Sequence, residues 1–203
     1  MKKNIAGKVL LNNGPEKPVT VGDADYHELI QIISGCREYH THSQEKLYKK
    51  FYGYALGVAL SYCPTRDDAI EVVNDSFMKV FKHIDKYSST GPFKPWLRKI
   101  VVNTSIDKAR ANGRFKNQVD IDTLERASPT DIESELNARQ IYNLLNELPE
   151  LLRFVFNMYE IEGYSHREIA IRLSIAESSS RAYLTRAKTL LKHHYENTFL
   201  DEP

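Results

Sequence analysis

The feature of the sequence that most restricts the fold lies near its C-terminal end, between Gly163 and Leu191. Ser165, with Glu168 three residues later, has the S-x-x-E pattern of a capping box at the start of a helix. A turn is predicted at Ser174, and a second helix follows it. Within each predicted helix the residues expected to face inward recur three or four apart: Ile169 and Leu173 in the first, and Leu184, Ala187 and Leu191 in the second. The stretch therefore predicts a helix-turn-helix.

The outer face of the second predicted helix carries short and basic side chains. They are Ser178, Ser179, Arg181, Ala182, Thr185, Arg186 and Lys188. A helix of this kind fits the major groove of DNA, where an arginine can read guanine with two hydrogen bonds, at about 1–3 kcal/mol per good pair. Short side chains such as Ala182 and Thr185 let the helix approach the base edges. The alternative is an ordinary helical hairpin with an exposed basic face.

The rest of the chain also has helical periodicity, and we find no alternating pattern long enough for a strand. Gly35 is expected to stop the first helix, and Thr65 with Asp68 resembles a capping box at the start of another. The predicted helices run from Asp23 to Gly35, Ser43 to Pro64, Thr65 to Lys86, Phe93 to Ala111 and, with a break at Pro149, Ile141 to Tyr159. We therefore expect an all-α fold.

Two segments without this periodicity divide the chain. Residues 1–22 contain Gly and Pro without a regular apolar pattern, so we expect a disordered extension. Residues 113–135 also lose the pattern, and a structureless stretch of that length is unusual inside one compact domain. We therefore predict two small helical domains, residues 23–112 and 136–197, joined by a flexible acidic linker.

Charge is unevenly distributed, although the net charge of the chain is only +1. Pro92–Lys116 has seven Lys and Arg against one acid, and Gly163–Tyr195 has six against two. Asn117–Gln140, between them, has six acids against two bases. Two basic segments separated by an acidic one indicate two anion-binding surfaces. Solvated helix faces are the alternative, although these are usually mixed in sign.

Several other classes of protein fit the sequence poorly. No apolar run is long enough to cross a membrane, and the N-terminal stretch does not resemble a secretory signal. Cys36 and Cys63 lack the spacing of metal ligands, so we expect reduced thiols in a cytosolic protein. His40 and His42 lie close together, as do His193 and His194, but neither pair has the four-residue spacing that places two metal ligands on one face of a helix. No Gly-rich phosphate loop or nucleophile motif occurs. We therefore expect no cofactor, metal site or catalytic residue, and an enzyme is the weakest alternative.

Both halves of the chain resemble one family. The segments Leu47–Tyr87 and Gly91–Arg110 look like the N-terminal domain, region two, of extracytoplasmic-function (ECF) sigma factors. Leu145–Leu191 resembles the promoter-binding region four of the same family. The order, the spacing and the acidic linker match over roughly Leu29–His194. The resemblance implies a bacterial cytoplasmic protein that brings core RNA polymerase to a particular class of promoters and has no catalytic activity of its own.

The resemblance also implies three binding surfaces. Ser179, Arg181, Ala182, Thr185, Arg186 and Lys188 would contact the upstream promoter element. Ser88, Ser89, Thr90, Arg98, Lys99, Asn103, Lys108 and Arg110 would contact the element nearest the transcription start. We expect the basic members of this second set on an outer surface of their helix, with Tyr87 able to stack on a base flipped into the neighbouring loop. The acidic stripe Asp68, Glu71, Asp75 and Met78 would dock on the coiled coil of the largest polymerase subunit.

The resemblance implies further partners as well. Family members also contact the flap of polymerase, and many are held inactive by an anti-sigma factor. This chain departs from the usual pattern at Ser174, where glycine is common in the turn, at Ala176, which cannot cap a helix, and at Ser180, where a β-branched apolar residue is usual. The remaining alternative is a stand-alone helix-turn-helix regulator, which would leave the basic helix after Phe93 and the acidic stripe unexplained.

Overall fold

A computed structural model describes residues 21–88, 91–113, 115 and 144–199. Every regular element in these ranges is helical, which confirms the all-α prediction. The α-helices are α1 (Val21–Arg37), α2 (Thr41–Leu60), α3 (Arg66–Lys82), α4 (Phe93–Ala111), α5 (Glu150–Phe156), α6 (His166–Leu173) and α7 (Glu177–Phe199). A 3₁₀ turn (Ile84–Lys86) follows α3, and a π-helical turn (Asn157–Ile161) follows α5. Residues 144–147 are also helical.

Helices α1 to α4 form a bundle, which we call the N-terminal bundle. Each of α2, α3 and α4 buries a stripe of apolar side chains at helical spacing, with Phe51, Phe77 and Leu97 among them. Gly35 was expected to end α1, and this prediction is wrong, because the helix continues to Arg37. A Cβ at Gly35 would lie 2.1 Å from Ser43 Oγ, so the glycine permits close packing of α1 on α2.

Local signals explain where α3 and α4 begin. The Thr65 hydroxyl oxygen accepts a hydrogen bond from the Asp68 backbone N–H at 3.1 Å, which caps α3 as predicted. Helix α3 ends at Lys82 rather than Lys86, and the predicted last turn is the 3₁₀ turn instead. The predicted bounds of α4 agree with the structure.

Helices α5, α6 and α7, which we call the C-terminal helices, contain the predicted helix-turn-helix in α6 and α7. The capping box is present at the start of α6, with reciprocal hydrogen bonds between Ser165 and Glu168. Ser174 adopts the left-handed conformation expected at the turn, with φ 57°. Ile169, Leu173 and Ala187 are buried between the helices, as the spacing predicts.

The two groups of helices share one continuous apolar core. Tyr62, at the end of the N-terminal bundle, packs on Phe154 of α5 with ring centroids 5.2 Å apart. Phe115 contacts the same ring at 5.1 Å. Most of the predicted linker and residues 1–20 of the predicted extension lie outside the described residues, so the predicted domain limits stay predictions. Cys36 and Cys63 are both buried.

Candidate nucleic-acid interface

The outward face of α7 presents most of the side chains predicted to read the upstream element. Arg181, Ala182, Thr185 and Lys188 are exposed, whereas Ser179 and Arg186 are partly buried. Arg181 forms an ion pair with Glu177 one turn earlier, and Lys188 lies 2.7 Å from Glu160. Arg181 and Lys188 are 62% and 49% exposed, so neither ion pair is strong. Each basic side chain can therefore leave its carboxylate partner and contact a phosphate or a base instead.

A hydrogen bond that the sequence analysis did not predict fixes the first turns of α7. Ser180 is completely buried, and its Oγ lies 3.0 Å from His166 Nδ1. The His166 ring stacks on Tyr159 with centroids 4.5 Å apart. Burial and the nearby Arg181 guanidinium lower the pKa of His166, which favours the neutral ring. The departure from an apolar residue at Ser180 therefore has a matching polar partner.

The basic face of α4 is only partly on an outer surface. Lys99 and Arg110 are exposed, but Arg98 and Asn103 are partly buried against the C-terminal helices. Arg98 is hydrogen-bonded to Glu162, and Asn103 is hydrogen-bonded to Arg172. Each partner lies more than 60 positions later in the chain. Contacts between distant segments leave no signal in local spacing, so this arrangement could not be predicted.

Lys108 does not lie on the outer surface of α4, where it was predicted to be. Its side chain is only 13% exposed, and its Nζ lies 3.0 Å from Asp68 and 2.7 Å from Glu71 on α3. Burial, the largest single effect, would lower the pKa of Lys108, but the hydrogen bonds to Glu71 and Asp68 and the charges of these carboxylates together raise it. Lys108 therefore joins α4 to α3, and Asp68 is the least exposed carboxylate of the acidic stripe.

The rest of the stripe on α3 agrees better with a docking surface. Glu71, Asp75 and Met78 are exposed, and Met78 shows 70% of its surface, although methionine is usually buried. A flexible apolar side chain beside carboxylates suits a basic helical partner.

The loop before α4 is described only in part, since Ser89 and Thr90 lie outside the described residues. Ser88 is exposed. Tyr87 was expected to be available for stacking, and this is wrong. It is buried between Phe93 and Trp96, and its hydroxyl donates to the Gly91 carbonyl oxygen. A groove of about 430 Å³ beside the loop is lined by residues that include Tyr26, Phe51, Tyr87, Pro92 and Lys94.

No group of three or more His, Cys, Asp or Glu side chains among the described residues could hold a metal ion. No helix in the described part of the chain is long and apolar enough to cross a membrane.

Two family models match the chain, in the order that the two basic helices occupy. The model of sigma-70 region 2 matches residues 47–115, from α2 through α4. The model of sigma-70 region 4 matches residues 138–191, which include the helix-turn-helix. This chain belongs to the sigma-70 family, as an ECF sigma factor. The two matched regions follow one another along the chain, with most of the acidic segment between them.

Several bacterial sigma factors are similar to this chain. The ECF RNA polymerase sigma-E factor of Salmonella typhimurium strain LT2 is 29% identical over 140 residues, which are 63% of this chain and 73% of that protein. The factor of the same name from Haemophilus influenzae is 26% identical over 161 residues, 72% of this chain and 84% of that protein. Among solved structures, the sigma factor RpoE in complex with the anti-sigma factor NepR from Bartonella quintana gives a TM-score of 0.45 at 19% identity, covering 86% of this chain and 98% of that one.

Proposed function

We propose that this sigma factor binds core RNA polymerase through α3 and directs it to a specific set of promoters through α4 and α7. The observation that carries the proposal is the row of exposed side chains on α7, which are Arg181, Ala182, Thr185 and Lys188. The row is held in helix-turn-helix geometry, and the same chain also has a second basic helix, α4. A DNA-binding motif on its own would not require the second basic helix or the acidic stripe of α3. A polymerase-binding surface on its own would not require the two basic helices.

Helix α7 would enter the major groove at the upstream element. Arg181 is the side chain best placed to read a guanine, and Ala182 and Thr185 leave room for the base edges. Lys188, with the partly buried Ser179 and Arg186, would contact phosphates and set the register of the helix.

Helix α4 would contact the element nearest the transcription start. Lys99, Arg98 and Arg110 supply charge for the phosphates, so binding should weaken as salt is raised. Asn103 carries both a donor and an acceptor for a base edge or sugar. Ser88, Ser89 and Thr90 would line the site of a flipped base, with the neighbouring groove next to it. Lys108 would act by holding α4 on α3.

Helix α3 would dock on the coiled coil of the largest polymerase subunit through Glu71, Asp75 and Met78, with Asp68 at the edge of the surface. The flap of polymerase and an anti-sigma factor are further partners that we infer from the family. The protein would act in the bacterial cytoplasm as a specificity subunit without catalytic activity.

Run-off transcription with purified core polymerase on genomic fragments tests the proposal. Wild-type protein should give specific start sites absent with core alone. Arg181→Glu should reduce these transcripts roughly 5- to 150-fold, the loss of one base contact of about 1–3 kcal/mol. Asp75→Lys should weaken binding to core polymerase. Lys49→Glu, a reversal at an exposed position of α2 outside all three surfaces, is the matched control and should change neither.

Two outcomes would contradict the proposal. If wild-type protein gives no specific transcript above the core-only background, it does not direct initiation. If it binds operator-like DNA tightly but does not co-purify with core polymerase, the stand-alone regulator is correct instead.

A further inference from the structure

His166, the first residue of α6, contacts two other elements of the C-terminal helices. Its ring stacks on Tyr159 of the π-helical turn, with centroids 4.5 Å apart and 23° between the ring planes. Its Nδ1 lies 3.0 Å from Oγ of Ser180 on α7. The stacking restrains the plane of the ring, and the hydrogen bond restrains one of its edges. His166 therefore connects the π-helical turn, α6 and α7 at one point.

The Ser180 hydroxyl depends on this connection. Ser180 has no exposed surface, and among the residues that the structure describes its hydroxyl has one hydrogen-bond partner, His166 Nδ1. The hydroxyl therefore donates to Nδ1. A neutral imidazole has a nitrogen that can accept, whereas a protonated one carries N–H on both nitrogens. Protonation of His166 would leave the hydroxyl hydrogen of Ser180 without an acceptor, which is unfavourable at a position without solvent.

The surroundings of His166 favour the neutral ring. Burial lowers its pKa, the Arg181 guanidinium lowers it further, and the Glu177 carboxylate opposes both. Histidine ordinarily titrates near pH 6.5, so this ring is neutral at neutral pH and becomes protonated only in acid. Because the unfolded chain binds the proton more readily, the fold should also lose stability as pH falls below that value.

Charged groups on the other neighbouring elements act elsewhere. On the π-helical turn, Glu160 forms an ion pair with Lys188 at 2.7 Å. On α4, Lys99 acts on the carboxylate of Glu168, which is held in the capping box. In the described part of the chain, the charges that shift the titration of His166 therefore come from α7, the helix that carries Arg181.

The bond to His166 lies one residue from the side chain that we propose to read a base. Ser180 immediately precedes Arg181, and the Arg181 side chain is 62% exposed. Its direction depends on the rotation of α7 about its own axis. An arginine contacts guanine through two hydrogen bonds, and both weaken when their angles are not met. A small rotation of α7 would therefore weaken base reading without unfolding the helix.

We propose that His166 is a positioning residue for promoter discrimination, whose neutral ring holds α7 through Ser180 in the rotation from which Arg181 reads the upstream element. This inference rests on the proposed function of α7. When the ring is protonated, α7 loses this restraint, and the new positive charge repels Arg181. Discrimination between the natural upstream element and a scrambled one should therefore fall in acid.

Holoenzyme assembled from core polymerase and the full chain tests this role, on a promoter found by run-off transcription. Fluorescence anisotropy gives the dissociation constants for this fragment and for the same fragment with a scrambled upstream element. Their ratio is the discrimination. Both fragments carry the same phosphates, so nonspecific attraction to an added positive charge cancels in the ratio. Wild-type discrimination should fall at least about fivefold between pH of about 7.5 and about 5.5, the lower limit for one good base contact.

Two variants of His166 and a matched control separate positioning from simple packing. His166→Asn places an amide near the position of Nδ1 but does not titrate, so it should discriminate like wild type at neutral pH and keep this discrimination in acid. His166→Phe retains a ring against Tyr159 without an acceptor, so discrimination should be at least about fivefold lower already at neutral pH. His42→Asn, at a histidine of α2 whose side chain is 76% exposed, should keep the wild-type pH profile.

Circular dichroism at both pH values checks that each variant is folded. A folded His166→Phe variant with wild-type discrimination at neutral pH would overturn the positioning role. Parallel pH profiles of wild type and His166→Asn would overturn it too, because the acid sensitivity would then lie elsewhere. So would a folded His166→Asn variant that does not discriminate at neutral pH. If His166→Phe does not fold, wild type against His166→Asn still decides. Absence of discrimination by wild-type holoenzyme at neutral pH would instead reject the proposed function of α7.

Discussion

The buried hydroxyl of Ser180 is tolerated in the core of the helix-turn-helix because it has a hydrogen-bond partner, His166. Ser180 has no exposed surface, and leaving its hydroxyl without a hydrogen bond would cost roughly 1–3 kcal/mol. The bond to His166, 3.0 Å long, removes that cost. It also fixes the rotation of α7 immediately before Arg181, the residue that we propose to read a base.

We expect Ser180 and His166 to be energetically coupled. Ser180→Val alone should destabilise the fold by about 1–2 kcal/mol, because it leaves the His166 ring nitrogen without its partner. The double variant Ser180→Val with His166→Phe should cost less than the two single changes together, since an apolar pair needs no hydrogen bond. Urea unfolding measures the three values.

The control for this cycle is Ser178→Ala, at an exposed position in the same turn of α7, which should stay within about 0.5 kcal/mol of wild type. Strictly additive costs for Ser180→Val and His166→Phe would show that the observed bond does not connect the two positions energetically.

At the scale of single helices, α1 and α2 approach so closely that only glycine fits between them. A Cβ on Gly35 would lie 2.1 Å from Ser43 Oγ and 2.8 Å from Ser43 Cβ. Gly57 is different, because a Cβ there meets nothing within 4 Å and the residue lies within α2. The two glycines therefore make opposite contributions to stability.

Gly35→Ala should destabilise the protein by about 1–3 kcal/mol through overpacking. Gly57→Ala, the matched control, should stabilise it by about 0.5–1 kcal/mol through better helix propensity. Thermal unfolding followed by circular dichroism gives both signs. Equal effects of the two substitutions would mean that α1 does not pack on α2 as closely as described.

The capping box at the start of α6 should make stability depend on pH. Hydrogen bonds from the backbone N–H and the hydroxyl of Ser165 lower the pKa of Glu168. A carboxyl group whose pKa is lower in the folded state stabilises the fold above its unfolded pKa, and this stabilisation is lost as pH falls through the folded value. Glutamine can still accept the bonds but does not titrate.

Wild type should therefore exceed Glu168→Gln in unfolding free energy at neutral pH, and the difference should shrink as pH falls below the ordinary glutamate value of about 4.3. Urea unfolding at a series of pH values measures the difference. If the difference is the same from neutral to acid pH, the carboxylate does not form these bonds in solution.

Much at the scale of single helices follows from local sequence. The bounds of α4, both capping signals and the left-handed turn at Ser174 were predicted because each depends on residues within one or two turns of the chain. Gly35 shows the limit of local reasoning, since glycine either ends a helix or admits a neighbour. Only the position of Ser43 decides between these roles.

The surroundings of the candidate binding residues were harder to predict for the same reason. The exposed row on α7 follows from its helical spacing. Lys108 and Arg98 have equally basic sequences around them, yet one is bonded to α3 and the other to Glu162. Which element covers a helix face depends on contacts between distant segments, and no local pattern encodes them.

At the scale of the whole molecule, the shared core joins the N-terminal bundle to the C-terminal helices. Tyr62 contributes the ring that packs on Phe154 and a backbone carbonyl that faces the buried Arg153. Since Tyr62 is 1% exposed, this junction has the burial of a domain interior. The two groups should therefore unfold together.

Calorimetry should show one transition for the wild-type chain, whereas Tyr62→Ala should separate it into two because the junction loses its central ring. Phe77→Ala is the control, since its ring contacts Tyr48 and Phe81 within the N-terminal bundle. It should lower the midpoint and retain one transition. Two separate transitions in the wild-type protein would contradict the coupling.

The burial of both cysteines has a practical consequence. Burial raises the pKa of the Cys36 thiol to about 11, and Cys63 is also buried, at 4% exposure. Maleimide dyes react with the thiolate of an accessible cysteine, so the native pair should stay unlabelled at neutral pH. A fluorophore introduced at one new surface cysteine on each side of the junction would then report the distance across it in single molecules, without any need to replace the natural sulfur atoms.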